Sequence, residues 1–182
     1  MPQDSDAHHR RSIRLRGYDY TSPGAYFVTI TTWERGCLFG AVVPTGMVLN
    51  DLGDIVASEW RRTAEIRPEI RLDEFVVMPN LMHALIVIRD VGAHGRAPLR
   101  TGNQPVVPTR QPRSVGSLIA GFKSAATRRV NEARNTPGVP VWQRNYYERI
   151  IRDDEELDRV RQYILDNPAK WNEDPENSAT AK

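Results

Sequence analysis

Phe75-Val-Val-Met-Pro-Asn80-Leu81-Met82-His83-Ala-Leu-Ile-Val-Ile88 is the stretch whose reading decides the fold. Two apolar runs, rich in β-branched residues, flank Met-Pro-Asn, which is turn chemistry. They read as an antiparallel hairpin of Ile70 to Val77 and Ala84 to Ile88. On an extended strand, residues two apart share a face. Leu81 and His83 therefore face one way and Met82 the other. A His-x-His triplet at this place would make a metal pincer, and half of it is Leu.

The segments on either side complete the pattern. Tyr26 to Trp33, with its β-branched and aromatic residues, reads as a first strand. Gly46 to Asn50 reads as a turn, after which Asn50 or Asp51 caps a helix. Leu52, Ile55, Val56 and Trp60 recur there at helical spacing, and Pro68 ends it. Residues 91–113, rich in Gly, Pro, Arg and Thr, read as a flexible loop within one domain. Ser114 caps a second helix that buries Val115, Leu118, Ile119 and Phe122. Val141 to Ile151 reads as the fourth strand, and Asp153 or Asp154 opens a last helix that stops at Asn167-Pro168. The expectation is an α+β fold: a ferredoxin-like β-α-β-β-α-β antiparallel sheet with helices on one face and an added C-terminal helix. Residues 1–12 are expected to be a disordered basic arm, 13–172 the single domain, and 173–182 a disordered tail.

Composition narrows the classes. Hydrophobic residues make up 40% of the 182 and charged residues 26%, as in ordinary globular proteins. No run approaches the ~20 apolar residues of a membrane helix, and no secretory signal is read at the N-terminus. The one cysteine, Cys37, rules out an internal disulfide and a Cys-rich zinc site, and a cytoplasmic location is expected. The net charge of +2 hides segregation. Arg10, Arg11, Arg14 and Arg16 lie close together, and Arg110 to Arg134 holds six basic residues against one acidic. Such patches suit a polyanion such as nucleic acid. A solvated charged face is the competing reading.

The last helix carries a candidate pair. With Val160 at zero and about 100° per residue, Leu157 and Ile164 lie near 60° and 40°, Tyr163 near −60° and Asn167 near −20°. A phenol and an amide thus sit one turn apart beside the apolar stripe. If the helix packs on the central strands, they converge with His83. A tyrosine can attack a phosphodiester to form a phosphotyrosine, and imidazole and amide donors suit Mn²⁺ or Mg²⁺. Standing alone, a tyrosine in this position is ordinarily core or rim, and a strand histidine ordinarily structural.

Several segments in collinear order over about residues 13–171 resemble the REP-associated tyrosine transposases of the single-tyrosine HUH endonuclease superfamily. They are Arg16-Gly-Tyr-Asp-Tyr20 with Tyr26-Phe-Val-Thr-Ile30, and Val77-Met-Pro-Asn80 with His83. Further on come Ser117-Leu-Ile-Ala-Gly-Phe-Lys-Ser124, Trp142-Gln-Arg-Asn-Tyr-Tyr147 with Ile150-Ile-Arg152, and Tyr163-Ile-Leu-Asp-Asn-Pro168. The resemblance implies a single-stranded DNA endonuclease and strand transferase acting on hairpins of repetitive extragenic palindromes. It implies Tyr163 as nucleophile and Asn167 with His83 as ligands of Mg²⁺ or Mn²⁺. The first HUH histidine falls on Leu81, a departure that leaves three readings: an impaired relative that still binds DNA hairpins, an introduced inactivating change, or a weakly active transposase in which substrate phosphate and water fill the gap.

Other candidates concern DNA contact. Arg10, Arg11, Arg14 and Arg16 are read as a phosphate-following arm, with Tyr18 and Tyr20 stacking on bases. Lys123, Arg128 and Arg129 are read as phosphate contacts. Tyr146 and Tyr147 are rival nucleophiles, with a structural or DNA-contact role favoured. The expected partner is single-stranded or hairpin DNA, with no membrane, and the chain is expected to be a monomer or homodimer. An RNA-binding domain is disfavoured, because the strands lack a Gly-rich aromatic RNA-binding signature.

Overall fold

The computed structural model describes residues 19–89, 113–173 and 177. The expected N-terminal arm, the 91–113 loop except for Arg113, and most of the tail lie outside the described residues. The main sheet has four antiparallel strands: β1 (Gly24–Thr31), β4 (Ile70–Val77), β5 (Leu81–Ile88) and β6 (Tyr147–Ile151). Their spatial order is β4-β5-β1-β6. This is the strand order of the expected ferredoxin-like sheet, with β1 and β5 at its centre. The Met-Pro-Asn turn does join β4 to β5. It is closed by Met78 N–H donating to the Leu81 carbonyl at 2.8 Å, and tied to the end of β1 by Thr32 N–H donating to the Asn80 carbonyl at 2.9 Å.

Two elements differ from expectation. Residues read as a turn include a strand: β2 (Gly40–Val43) and β3 (Gly46–Leu49) form a separate two-stranded hairpin. The expected fourth strand is shorter, because Val141 to Tyr146 leaves the ladder after a single bridge between Thr32 and Trp142.

The helices cover both faces of the sheet. Helices α1 (Asp51–Ile66) and α2 (Val115–Ala133) pack on one side. There, Val56 and Trp60 of α1 and Leu118, Ile119 and Phe122 of α2 meet Tyr26, Val28, Ile30, Met82, Ala84 and Ile86 in the main core. Asn50 caps α1 by accepting from the N–H groups of Leu52 and Gly53, and Ser114 caps α2 by accepting from Ser117 N–H. Helix α3 (Asp154–Asp166) lies on the opposite face, capped by Asp153 accepting from Glu156 N–H. It docks through a smaller cluster of Phe27, Leu85, Ile151 and Ile164, with Leu157 and Val160 packed against it.

A bulge in β4 fastens α3. Leu72 pairs with Ile86 and Phe75 with Ala84, so two β4 residues lie between partners that are two apart on β5. The irregularity turns Asp73 toward α3. Arg161 grips it with two hydrogen bonds, Nε to Oδ1 and Nη2 to Oδ2, both 2.8 Å. Arg71 donates to the same carboxylate at 2.9 Å.

Candidate active site

The register of the sheet builds the site. His83 on β5 sits opposite Thr29 on β1, and Thr29 sits opposite Tyr147 on β6. These three side chains form a row on the α3 face, and the next row inward holds Leu85, Phe27 and Arg149. Alternation along β1 explains the split: Tyr26, Val28 and Ile30 point into the main core, leaving Phe27 and Thr29 for the other side.

Helix α3 carries Tyr163 to this row. Its side chain is 43% exposed, while Ile164 beside it is buried. The Tyr163 hydroxyl lies 3.4 Å from His83 Nε2. His83 is 3% exposed, and its Nδ1 lies 2.8 Å from Thr29 Oγ1. In the tautomer whose Nδ1 donates to Thr29, Nε2 is left to accept from the phenol, and the Thr29 contact holds the tilt of the ring. Phe27 is the hub of the arrangement. His83 stacks on it at 5.5 Å, and Tyr163 and Tyr147 meet it edge-on at 5.9 and 6.3 Å.

Asn167 falls at the C-cap of α3 and is 2% exposed. Leu81, on the same face as His83, is fully buried with Met78 and Trp171, and Val42 and Val76 pack against them. The position onto which the resemblance maps the first HUH histidine is thus an apolar plug. Among the described residues, no three His, Cys, Asp or Glu side chains gather as a metal set. Among the described residues, the metal donors expected from the sequence come down to the His83 imidazole and the Asn167 amide, both buried. That set does not fit an ion resident in the protein.

The remaining sequence candidates scatter. Arg10, Arg11, Arg14, Arg16 and Tyr18 lie outside the described residues. Tyr20, expected to stack on bases, is instead a buried core residue against Tyr26. Lys123, Arg128 and Arg129 belong to α2, in the layer on the far side of the sheet from Tyr163. Lys123 does not project freely: its Nζ donates to the carbonyls of Gln143 (2.9 Å) and Asn145 (2.8 Å), and lies over the Tyr146 ring. Arg129 donates to the buried Glu59 at 2.6 Å, tying α2 to α1. Arg128 is exposed and lies 4.0 Å from Glu132. With Lys123 it lines a groove of about 890 Å³ beside residues 137–144. Thr29 and Phe27 were not singled out from the sequence, because only strand register reveals them.

Comparison with known proteins agrees with this architecture. The chain shares its fold with a REP-associated tyrosine transposase solved bound to a REP hairpin, at a TM-score of 0.53 and 17% identity. The match covers 88% of this chain and 74% of that one. A candidate transposase of Deinococcus radiodurans is also similar, at a TM-score of 0.44 and 18% identity over 84% of this chain and 95% of that one. No protein-family model matches the chain. The chain belongs to the same family as an uncharacterized protein of Haemophilus influenzae, to which it is 40% identical over 168 residues, 92% of each chain. Among the described residues, no helix is long and apolar enough to cross a membrane.

Proposed function

We propose that the chain acts on single-stranded DNA hairpins as a transposase-type strand-cleaving protein, with Tyr163 as nucleophile. The observation that carries this reading is a half-exposed phenol held 3.4 Å from a buried imidazole that is itself oriented by Thr29. Nucleophile, proton acceptor and orienting group follow one another in the order that activated nucleophiles require. The fold shared with a transposase solved bound to a REP hairpin supports DNA hairpins as the substrate class.

In this reading the Tyr163 oxygen attacks a backbone phosphorus and passes its proton to His83 Nε2. The bond to the 3′-oxygen breaks, and that oxygen leaves with the electron pair and takes up a proton to become a 3′-OH. The 5′-phosphate stays on Tyr163, and attack by a second 3′-OH reverses the step to join strands. A divalent ion, Mg²⁺ or Mn²⁺, would come as a companion of the substrate phosphate, with the Asn167 amide as the donor the chain would offer it, because His83 Nε2 serves as the proton acceptor. Such an ion would polarise the phosphate and offset developing charge.

The plug at Leu81 favours a second reading, in which the chain recognises hairpins without cutting them. One assay separates the two. A labelled hairpin with single-stranded flanks is incubated with the protein, with and without Mn²⁺, and covalent adducts are sought under denaturing conditions. The nucleophile assignment predicts an adduct that Tyr163→Phe abolishes while hairpin affinity stays within about twofold. Tight binding with no adduct would leave only the binding module, and an adduct surviving Tyr163→Phe would displace the nucleophile.

A further inference from the structure

Tyr147 stands out on the site face. It opens β6, an edge strand of the main sheet, and is 40% exposed. Its ring contacts Phe27 edge-on, and Phe27 in turn contacts both His83 and Tyr163. Tyr147 and Tyr163 are therefore neighbours across a single intervening ring. The row His83–Thr29–Tyr147 runs straight from the proton acceptor to the sheet edge.

We infer that Tyr147, braced by Phe27, is a stacking ledge for an unpaired base adjacent to the phosphate that Tyr163 attacks; this rests on the reading of Tyr163 as the DNA nucleophile. The recorded hydroxyl contact to His83 belongs to Tyr163, so the geometry gives Tyr147 a ring to offer rather than an activated oxygen. The nearest cation on the same face of β6, Arg149, is paired with Glu156, so the ledge presents a π-surface and not a phosphate clamp. Any base has a π-face, so such a ledge grips a nucleotide without reading its identity. Phe27 is 8% exposed and fixed in the α3 cluster, which keeps its partner ring from swinging away. A base held there would place its neighbouring phosphate at the Tyr163 hydroxyl, which is what in-line attack needs.

The test is a hairpin with a single-stranded flank in which each flank nucleotide in turn is made abasic. Binding is measured for the parent protein, Tyr147→Ala, Tyr147→Leu and Tyr147→Phe. On intact DNA, Tyr147→Ala should weaken binding by about 5- to 150-fold, the range for one lost base stack, and Tyr147→Phe should bind like the parent. Tyr147→Leu, which keeps an apolar side chain on Phe27, should resemble the alanine variant. One abasic position should reproduce the loss in the parent and add nothing in Tyr147→Ala. The salt dependence should be the same for all four proteins, since no charge changes. Parent-like binding by Tyr147→Ala or Tyr147→Leu, or abasic losses that simply add to the mutational loss at every position, would overturn the ledge while leaving Tyr163 chemistry intact. Failure of the parent to prefer the hairpin over random single strands, with no Tyr163 adduct, would instead remove the reading on which the ledge rests.

Discussion

At position 81 a histidine would have to enter a space already filled by Met78, Val76 and Trp171. Leu81 is completely buried there. Replacing it by His strands a polar ring among methyl groups and disrupts the packing, at a cost of about 2–4 kcal/mol. For a protein of this size that is a fall in Tm of roughly 4–16 °C, at about 2–4 °C per kcal/mol. Leu81→His should therefore melt well below the parent in metal-free buffer. A variant that melts within a degree of the parent would show that the plug is not dry, and that a histidine ligand is readily accommodated beside His83. The prediction also corrects the simplest use of the family pattern. Restoring a ligand on paper is a core substitution in the structure, because Trp171 has closed over the position.

At the scale of elements, α3 is clasped to β4 by the Arg161–Asp73 pair, beside the Arg149–Glu156 pair that ties it to β6. Arg161 first, then the Glu74 N–H and Arg71, stabilise the charged form of Asp73 against the burial that opposes it, and lower its carboxyl from the usual 3.8 to about 2. A depressed carboxylate contributes stability that is fully present above its unfolded pKa and is lost as pH falls through the folded one. The docking of α3 should thus hold from neutral pH down to about 4 and weaken between there and about pH 2. Asp73→Asn should cost about 1–3 kcal/mol at pH 7 and flatten the acid limb of the stability curve. Urea melts at pH 7 and pH 3 check both points, and an unchanged difference between the two pH values would contradict them. Much of α3 was legible beforehand: the Asp153 cap, the Leu157–Ile164 stripe and the placing of Tyr163 at its border follow from 3.6-residue periodicity. The β4 bulge leaves only a phase shift, with Ile70 and Leu72 followed by Phe75 and Val77 on the core face, which a strict period-2 template passes over. Nor were β2 and β3 legible, four residues each and too short for a period-2 signal to rise above turn chemistry. Thr29, Phe27 and Tyr147 converge only because β1 lies between β5 and β6, and single-strand patterns do not carry sheet order.

Across the whole molecule the sheet divides a large core from a small one. The α1/α2 side packs Trp60, Phe122, Trp142 and the inward residues of β1 and β5 into one cluster. The α3 side has the cluster of Phe27, Leu85, Ile151 and Ile164, the smaller one of Met78, Leu81 and Trp171, and the Asp73–Arg161 and Arg149–Glu156 pairs. Local opening free energy follows the buried apolar surface and bonds that must be given up. Helix α3 should therefore open while the sheet and the other two helices stay folded. Such an opening would separate Tyr163 from His83 and admit a nucleic acid strand to the row formed by His83, Thr29 and Tyr147. Native-state hydrogen exchange should find the α3 amides, Leu157 to Ile164, exchanging through an opening well below the global unfolding free energy. The β1 and β5 amides should exchange only with global unfolding. Asp73→Asn should lower the α3 opening energy by the same amount that it lowers α3 docking, and leave β1 and β5 protection relative to global stability unchanged. On the proposed function, hairpin DNA bound across the helix and the sheet would stabilise the closed form by mass action and should raise α3 protection selectively. Equal protection of α3 and β1 in the free protein would mean that the two cores unfold as one unit, and that access to Tyr163 needs no movement of its helix.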